Sequence, residues 1–399
     1  MTAQTFLDAF VIALRWIHIV AILGWVGTSL YFMWLDSKMR LPDPARPNVL
    51  GEAWMGHGGG FYIVEKRSIA AGQVPSPVYW FRVEAGVTWV TGFLLLVFLY
   101  YRTGGLDLVD PQTSPLSPGA AVAFAIGLFV VAWIVYDQLW ISRLGNNVPL
   151  ATTLSLVLLL IVVYALCKLF TGRAAFIHVG SILGTNMIAN VWMRIIPSQV
   201  EAVAATRAGR ERNPLLGPRA RRRAIHNTYL TLPVIFTMIA MHAPMAYSHP
   251  LNWLVLAVVI VVGMAARHLM LLFDRREKRA AAWAGTAGSI AASLFILGFL
   301  SLRVGEAVAP AEQPVPFTVV RGILDLRCAS CHSRTPTDIR IPGANAIRFD
   351  TPEEIAARAE AIRASTVTSR AMPPDNKTRM TEEERALIGR WLAAGARVR

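Results

Sequence analysis

The sequence predicts an all-α protein in two unlike parts, an eight-helix transmembrane bundle followed by a small, helical, water-facing domain. Three observations carry that prediction. Eight runs of mainly apolar residues, each about 20 long and so able to cross a bilayer, fall at about 9–35, 79–101, 119–141, 149–170, 173–197, 226–247, 251–272 and 281–302. The segments joining them alternate between rich and poor in Lys and Arg. Past Arg303 the texture changes to a chain with charges throughout. Composition agrees: the 399 residues are 54% hydrophobic and 16% charged, with mean hydropathy +0.46, whereas a soluble domain has about 25% charged residues. One ordinary soluble domain is excluded. Three cysteines exclude a disulfide framework.

Leu154 to Leu166 (LSLVLLLIVVYAL) is the clearest apolar run, and the fifth and sixth spans are the most polar. No Lys or Arg precedes the first span and no cleavage pattern follows it, so it reads as an uncleaved transmembrane helix. Basic residues then set orientation. Lys38, Arg40, Arg46, Lys66 and Arg67 lie between spans one and two. Arg207, Arg210, Arg212, Arg219, Arg221, Arg222 and Arg223 lie between five and six, and Arg275, Arg276, Lys278 and Arg279 between seven and eight. The alternate segments hold little beyond Arg102 and Arg173. An even count of spans with both termini outside the cytoplasm follows. The net charge of +14 is therefore mostly topological, and RAGRERNPLLGPRARRR needs no nucleic-acid partner. The expected partner surface is membrane lipid.

Residues 1–306 form the membrane part. Ala307 to Pro316 (AVAPAEQPVP) is a Pro-rich connector stiff enough to act as a spacer. Residues 317–399 carry two amphipathic stretches, PEEIAARAEAIRAS and TEEERALIGRWLAAG. In the second, Thr381 as N-cap with Glu384 three positions on makes a capping box. At roughly 80 residues such a domain has a marginal core, which a covalently held group would help to fill.

Cys328-Ala329-Ser330-Cys331-His332 is C-x-x-C-H, the attachment sequence of a c-type haem. Two thiols one helical turn apart reach the vinyl groups on one porphyrin edge, and the following imidazole meets the iron, so His332 is the proximal ligand. A zinc site would want further Cys or His, and the rest of the domain has none. A redox dithiol would want a βαβ pattern, which is absent. The expected fold is thus a class I cytochrome c-like domain. For the sixth ligand Met372 and Met380 compete. Met372 is preferred because Met-Pro, a short loop and a capped helix is the class I pattern, whereas Met380 directly precedes Thr381, where a staple to its own helix suffices. Met/His ligation raises the reduction potential. Haem c is attached outside the bacterial cytoplasmic membrane, the side the charge count also gives for the C-terminus.

Ionisable side chains inside spans are costly and are functional candidates. His18, His178 and His242 are placed at similar depth towards the outer side, with Arg15 about one turn before His18. Together they are expected to ligate a second, non-covalent haem or to line a substrate cavity; singly, each reads as a hydrogen bond to a neighbouring helix. A second set lies towards the cytoplasm: Arg82, Glu84, Asp137, Arg194, His226 and His268, mostly explained by ion pairs. Gly56 to Tyr62 (GHGGGFY) has an oxyanion-hole pattern but no G-x-S-x-G partner, and no Walker signature, so it reads as a flexible turn. Gly180 and Gly184 suit close helix packing, and Cys167 is an apolar filler.

The whole chain resembles the bacterial membrane-bound urate oxidases (urate hydroxylases) with a fused C-terminal cytochrome c. The resemblance rests on RWIHIVAILGWVGTSLYFMWLD (Arg15 to Asp36), HGGGFYIVEKR (His57 to Arg67), CASCH and AMPPDNKTRMTEEER. It implies oxidation of urate by water to 5-hydroxyisourate in the inner membrane. Electrons would pass through haem c to a soluble cytochrome c or terminal oxidase. Urate is a planar monoanion, so its site should offer cationic or amide donors and an aromatic face. Arg15, Trp16, His18, Trp25 and Thr28 on span one are one set; Asn186, Asn190 and Arg194 on span five are the competing inner set. The steep fall of electron transfer with distance favours the outer set, or an added redox group in the bundle.

Overall fold

The computed structural model describes residues 3–110, 114–274, 280–303, 315–338, 346–368 and 370–398. Its membrane part runs α1 (Ala3–Lys38), β1 (Val49–His57), β2 (Gly60–Arg67), α2 (Val83–Leu96), α3 (Pro118–Ile141), α4 (Val148–Leu169), α5 (Gly172–Asn190), α6 (Ile196–Arg207), α7 (Leu216–Ile239), α8 (Pro244–Tyr247), α9 (Asn252–Asp274) and α10 (Ala280–Arg303). Among the described residues eight helical runs are long and apolar enough to cross a membrane, in the order that hydropathy predicts. Several start on side-chain caps. Ser117, Asn147 and Thr171 accept hydrogen bonds from the backbone N–H of Ala120, Leu150 and Ala174, which satisfies donors that lipid cannot. Pro118 and Pro149 sit in the first turns, where a missing N–H costs nothing.

The bundle is organised around α5, which packs against α2, α3, α4 and α7. In its most apolar window 78% of residues are buried, against 11% in the first and last spans. That burial explains why span five is polar: its side chains face protein and not lipid. A Cβ on Gly180 would strike Thr237 of α7, while one on Gly184 would meet nothing. Close helix approach therefore occurs at one of the two glycines.

Two departures from the sequence reading matter. The chain is not purely helical, because the segment between spans one and two contains an antiparallel hairpin, β1 with β2, in which His57 pairs Gly60. Gly58 and Gly59 form the two-residue turn at φ +58° and +81°, a conformation that glycine adopts without strain. The glycine-rich HGGGFY run is thus a hairpin tip, with Phe61 87% exposed, and hydropathy alone carries no signal for it. The second departure is longer helices. The fifth span continues through a π turn, Val191–Ile195, into α6 and ends at Arg207, while the sixth starts at Leu216, ten residues before its apolar run. Arg219 to Arg223 consequently lie on a helix and not in a loop. The arginine and lysine positions 275, 276, 278 and 279 lie outside the described residues, as does all of the Pro-rich connector except its last two positions.

The C-terminal part comprises α11 (Phe317–Arg327), α12 (Pro352–Ala357), α13 (Ala359–Ile362) and α14 (Glu382–Ala393). Val320, Leu324, Ile355, Met380, Ile388 and Trp391 form its core with Cys328. The predicted Thr381–Glu384 capping box is present, and Thr351–Glu354 makes a second one. Arg327 of α11 clamps Glu384 of α14 at 2.9 Å. The domain touches the bundle where Asn376 Nδ2 donates to Asp110 Oδ2 at 3.1 Å. Asp110 lies between spans two and three, on the end of the bundle poor in Lys and Arg.

Candidate functional site

A polar cluster inside the bundle lies between α3, the α5–α6 rod and α7. Asp137 of α3 is buried and receives two guanidinium groups. Arg194 Nε donates to Oδ1 at 2.9 Å and Nη2 to Oδ2, while Arg223 Nη2 donates to Oδ1 at 2.7 Å. Arg194 is placed by the π turn, a local irregularity often found at functional sites. Next to this triad, Asn190 Nδ2 donates to the Tyr136 hydroxyl (3.1 Å) and to Asn227 Oδ1 (2.9 Å). Tyr136 Oη lies 2.8 Å from His226 Nδ1. The phenol oxygen accepts from Asn190, which leaves its own proton available for His226 Nδ1. Trp140 closes on the His226 ring with centroids 4.2 Å apart, and Arg223 lies 4.7 Å over the Tyr136 ring.

Three buried atoms on α5 and α7 have no partner among the described residues: Arg223 Nη1 and Asn190 Oδ1 in this cluster, and Asn186 Oδ1 one turn before Asn190. Asn190 is 0% and Arg223 3% exposed. Buried polar groups are nearly always hydrogen-bonded, so such exceptions call for a ligand, an ion or water. Charge points the same way, because two arginines share one carboxylate and leave one positive charge over. A cavity of about 150 Å³ opens beside the cluster, lined by Trp140, Arg194, Arg219, Arg222 and Arg223 among others. The sequence offers Asn186, Asn190 and Arg194 as one site set, Asp137 as an ion-pair partner and His226 as an interfacial residue. That reading misses Tyr136, Asn227 and the burial of Arg223. The available signal was Arg223, His226 and Asn227 at i, i+3 and i+4 on one helical face, concealed by counting Arg223 as a loop charge.

The outer histidines do not converge. His18 Nδ1 bonds Thr91 Oγ1 at 2.8 Å in the middle of α2, where Gly92 makes room: a Cβ there would come within 2.8 Å of the imidazole. His178 is 1% exposed, with Nδ1 donating to the Ala174 carbonyl at 2.7 Å and Nε2 accepting from Tyr101 at 2.9 Å. Tyr101 ends the π turn Val97–Tyr101 that continues α2. Ten residues separate Thr91 from Tyr101, so the two histidines differ in depth by about 15 Å. His242 sits in a 3-10 turn after α7 with its side chain exposed. Arg15 is exposed on the surface of α1. The equal-depth expectation fails because α1, at 36 residues, spans about 54 Å and overruns the bilayer core, so position in its apolar run is a poor measure of depth. With both nitrogens held by protein atoms, His178 is a structural residue in this arrangement. Of the second set, Arg194 pairs with Asp137 as expected, His268 bonds Tyr229 at 2.6 Å, Arg82 stacks on Trp80, and Glu84 Oε2 is buried without a partner among the described residues.

In the C-terminal domain the C-x-x-C-H run forms one tight turn. The N–H groups of Cys331 and His332 both donate to the Cys328 carbonyl, at 3.1 and 2.9 Å. His332 Nδ1 donates to the Ile347 carbonyl at 3.0 Å, a contact that fixes the tautomer with the proton on Nδ1. Both thiols are buried, and burial pushes the Cys328 thiol up to about 12, which keeps it protonated. This donor set fits covalent haem c. Met372 is half-buried, on a loop braced by Ser365 and by Arg385, which donates to its carbonyl at 2.7 Å. Met380 is 2% exposed in the core, its N–H and carbonyl both bonded by the Asn376 side chain at 3.0 Å.

Fold and sites together define a helical protein with eight membrane-length spans, an incomplete buried cationic site in the bundle and a cysteine-histidine turn in a separate small domain. The urate oxidase N-terminal family model matches residues 4–298, and the chain belongs to that family. Membership points to an oxidoreductase of urate-related chemistry. No curated protein and no solved structure matches the chain at a significant level.

Proposed function

We propose that the protein oxidises urate to 5-hydroxyisourate in the bacterial inner membrane and passes the electrons through haem c to the respiratory chain. The observation that carries this reading is the union, in one chain, of the urate oxidase family domain with a C-x-x-C-H turn whose histidine holds its Nδ1 proton on a backbone carbonyl. The balance is urate plus water to 5-hydroxyisourate, two protons and two electrons. Cys328 and Cys331 would hold a haem c through thioether bonds, and His332 and Met372 would be the side chains that bind its iron. A haem bound there supplies a one-electron acceptor, which a soluble cytochrome c or a terminal oxidase reoxidises. The Tyr136–His226 pair provides a proton route, the phenol delivering its proton to Nδ1 as it takes one from substrate. The haem domain and both termini face the periplasm.

The test uses purified full-length holoprotein without dioxygen. Urate should reduce the haem, giving about two reduced haems per urate if one haem is bound. Haem that dithionite reduces and urate does not would leave the chain as an electron carrier for another dehydrogenase. Acidic-acetone extraction of the same sample counts non-covalent haem. Met372→Ala should abolish the methionine-to-iron absorption band of the oxidised protein, and persistence of that band would assign the ligand to Met380.

A further inference from the structure

We propose that the cluster between α3, the α5–α6 rod and α7 is the urate-binding pocket, and that it fills from the Arg-rich end of the bundle, opposite the haem domain. The inference rests on the urate reading and adds the place and the side. The cluster lacks what a planar anion with amide groups supplies. Arg223 Nη1 offers an unused donor, and Asn186 and Asn190, one turn apart on α5, offer unused carbonyl acceptors. Urate carries ring N–H groups for the two acceptors and carbonyl oxygens for the guanidinium. Its single negative charge matches the one left by Arg194 and Arg223 on Asp137. A cation would be repelled here, and a simple phosphate has no N–H for the asparagines. A cavity of about 150 Å³ holds about one aromatic ring, and its arginine-lined mouth takes the rest of a bicyclic ligand.

Access is from one end. Arg222 lines both this cavity and a wider vestibule of about 680 Å³, which Asp36, Gly217, Arg221 and Leu271 also border. The vestibule sits where α1 and α9 end and α7 begins. Arginines along such a channel draw anions inward. The opposite end of α5 is capped by Thr171, whose N–H bonds the Leu108 carbonyl beside Asp110 and the haem domain. Asn190 lies 19 residues from Thr171 along the helix, about 28 Å. Substrate and haem domain are thus at opposite ends of the bundle, so electron transfer over that distance requires the added redox group in the bundle, which the acidic-acetone extraction above would count.

Two measurements test this. In the first, radiolabelled urate is dialysed to equilibrium against full-length holoprotein with its haem pre-reduced, so that no urate is consumed. Asn186→Ala should weaken binding about five- to tenfold, as expected for one lost hydrogen bond in a dry site, with unchanged thermal unfolding. Arg222→Gln, at the junction, should weaken it as well and act as the second variant. Wild-type affinity in both variants would overturn the pocket. In the second, membrane vesicles of known sidedness receive urate. Inside-out vesicles, with the Arg-rich loops outward, should show haem reduction, and a response confined to right-side-out vesicles would overturn the entry side. Failure of the wild type to reduce haem with urate refutes the urate reading. Intact wild-type reduction with unaffected variants refutes the pocket alone.

Discussion

Histidine, tyrosine and polar partners are buried or half-buried at both ends of α5, yet the two ends are finished differently. Around His178 every hydrogen-bonding atom of the imidazole is used: the Ala174 carbonyl and the Tyr101 hydroxyl take its two nitrogens, and Phe129 and Phe170 pack on its ring. Around Asp137 the polar groups are more numerous, but Asn186, Asn190 and Arg223 each keep an atom without a partner. In lipid, where no solvent repairs such a deficit, a closed network stabilises and an open one waits for a ligand. Residue type alone does not separate the two ends. Satisfaction of the individual atoms does.

The largest effect should come from the carboxylate that holds the open network together. Asp137→Ala leaves Arg194 and Arg223 as adjacent uncompensated cations, which costs about 3–5 kcal/mol, read as a lowered thermal midpoint in detergent. Next in size is the core of the C-terminal domain. Met380→Ala should destabilise that domain by about 2–5 kcal/mol, the usual range for a buried methionine, whereas Met372→Ala, at a half-buried loop position, should cost less. At the closed end, His178→Phe strands the Tyr101 hydroxyl and should cost about 1–2 kcal/mol. Adding Tyr101→Phe should restore most of it, with urate affinity unchanged throughout. The smallest stability effect belongs to Asn186→Ala, within about 0.5 kcal/mol, because the carbonyl it removes has no partner to lose.

Much of the architecture was legible from the sequence. Eight spans, their order, the change of texture near residue 303 and the Thr381 cap follow from hydropathy period and from cap chemistry, which are local properties. The hairpin at Val49–Arg67 was not, since its strands carry no clean alternation and its Gly58-Gly59 turn reads equally as a loop. The site was half legible. Asn186, Asn190 and Arg194 stand out as polar residues on one helix face. Their partner Arg223 belongs to a helix that begins ten residues before its apolar run, in a stretch whose arginines also serve topology. The mistaken grouping of His18 with His178 has a similar cause, because depth depends on where helices end and not on where hydropathy begins.

The proposed urate pocket lies at the open end of α5. The direct measurement is the rate of haem reduction by urate, followed by stopped flow over a range of urate concentrations in Asn186→Ala and in the His178→Phe, Tyr101→Phe pair. The half-saturating urate concentration should rise about five- to tenfold in the first, with the limiting rate kept, and stay at the wild-type value in the second. A shift in the outer pair with none at Asn186 would contradict it.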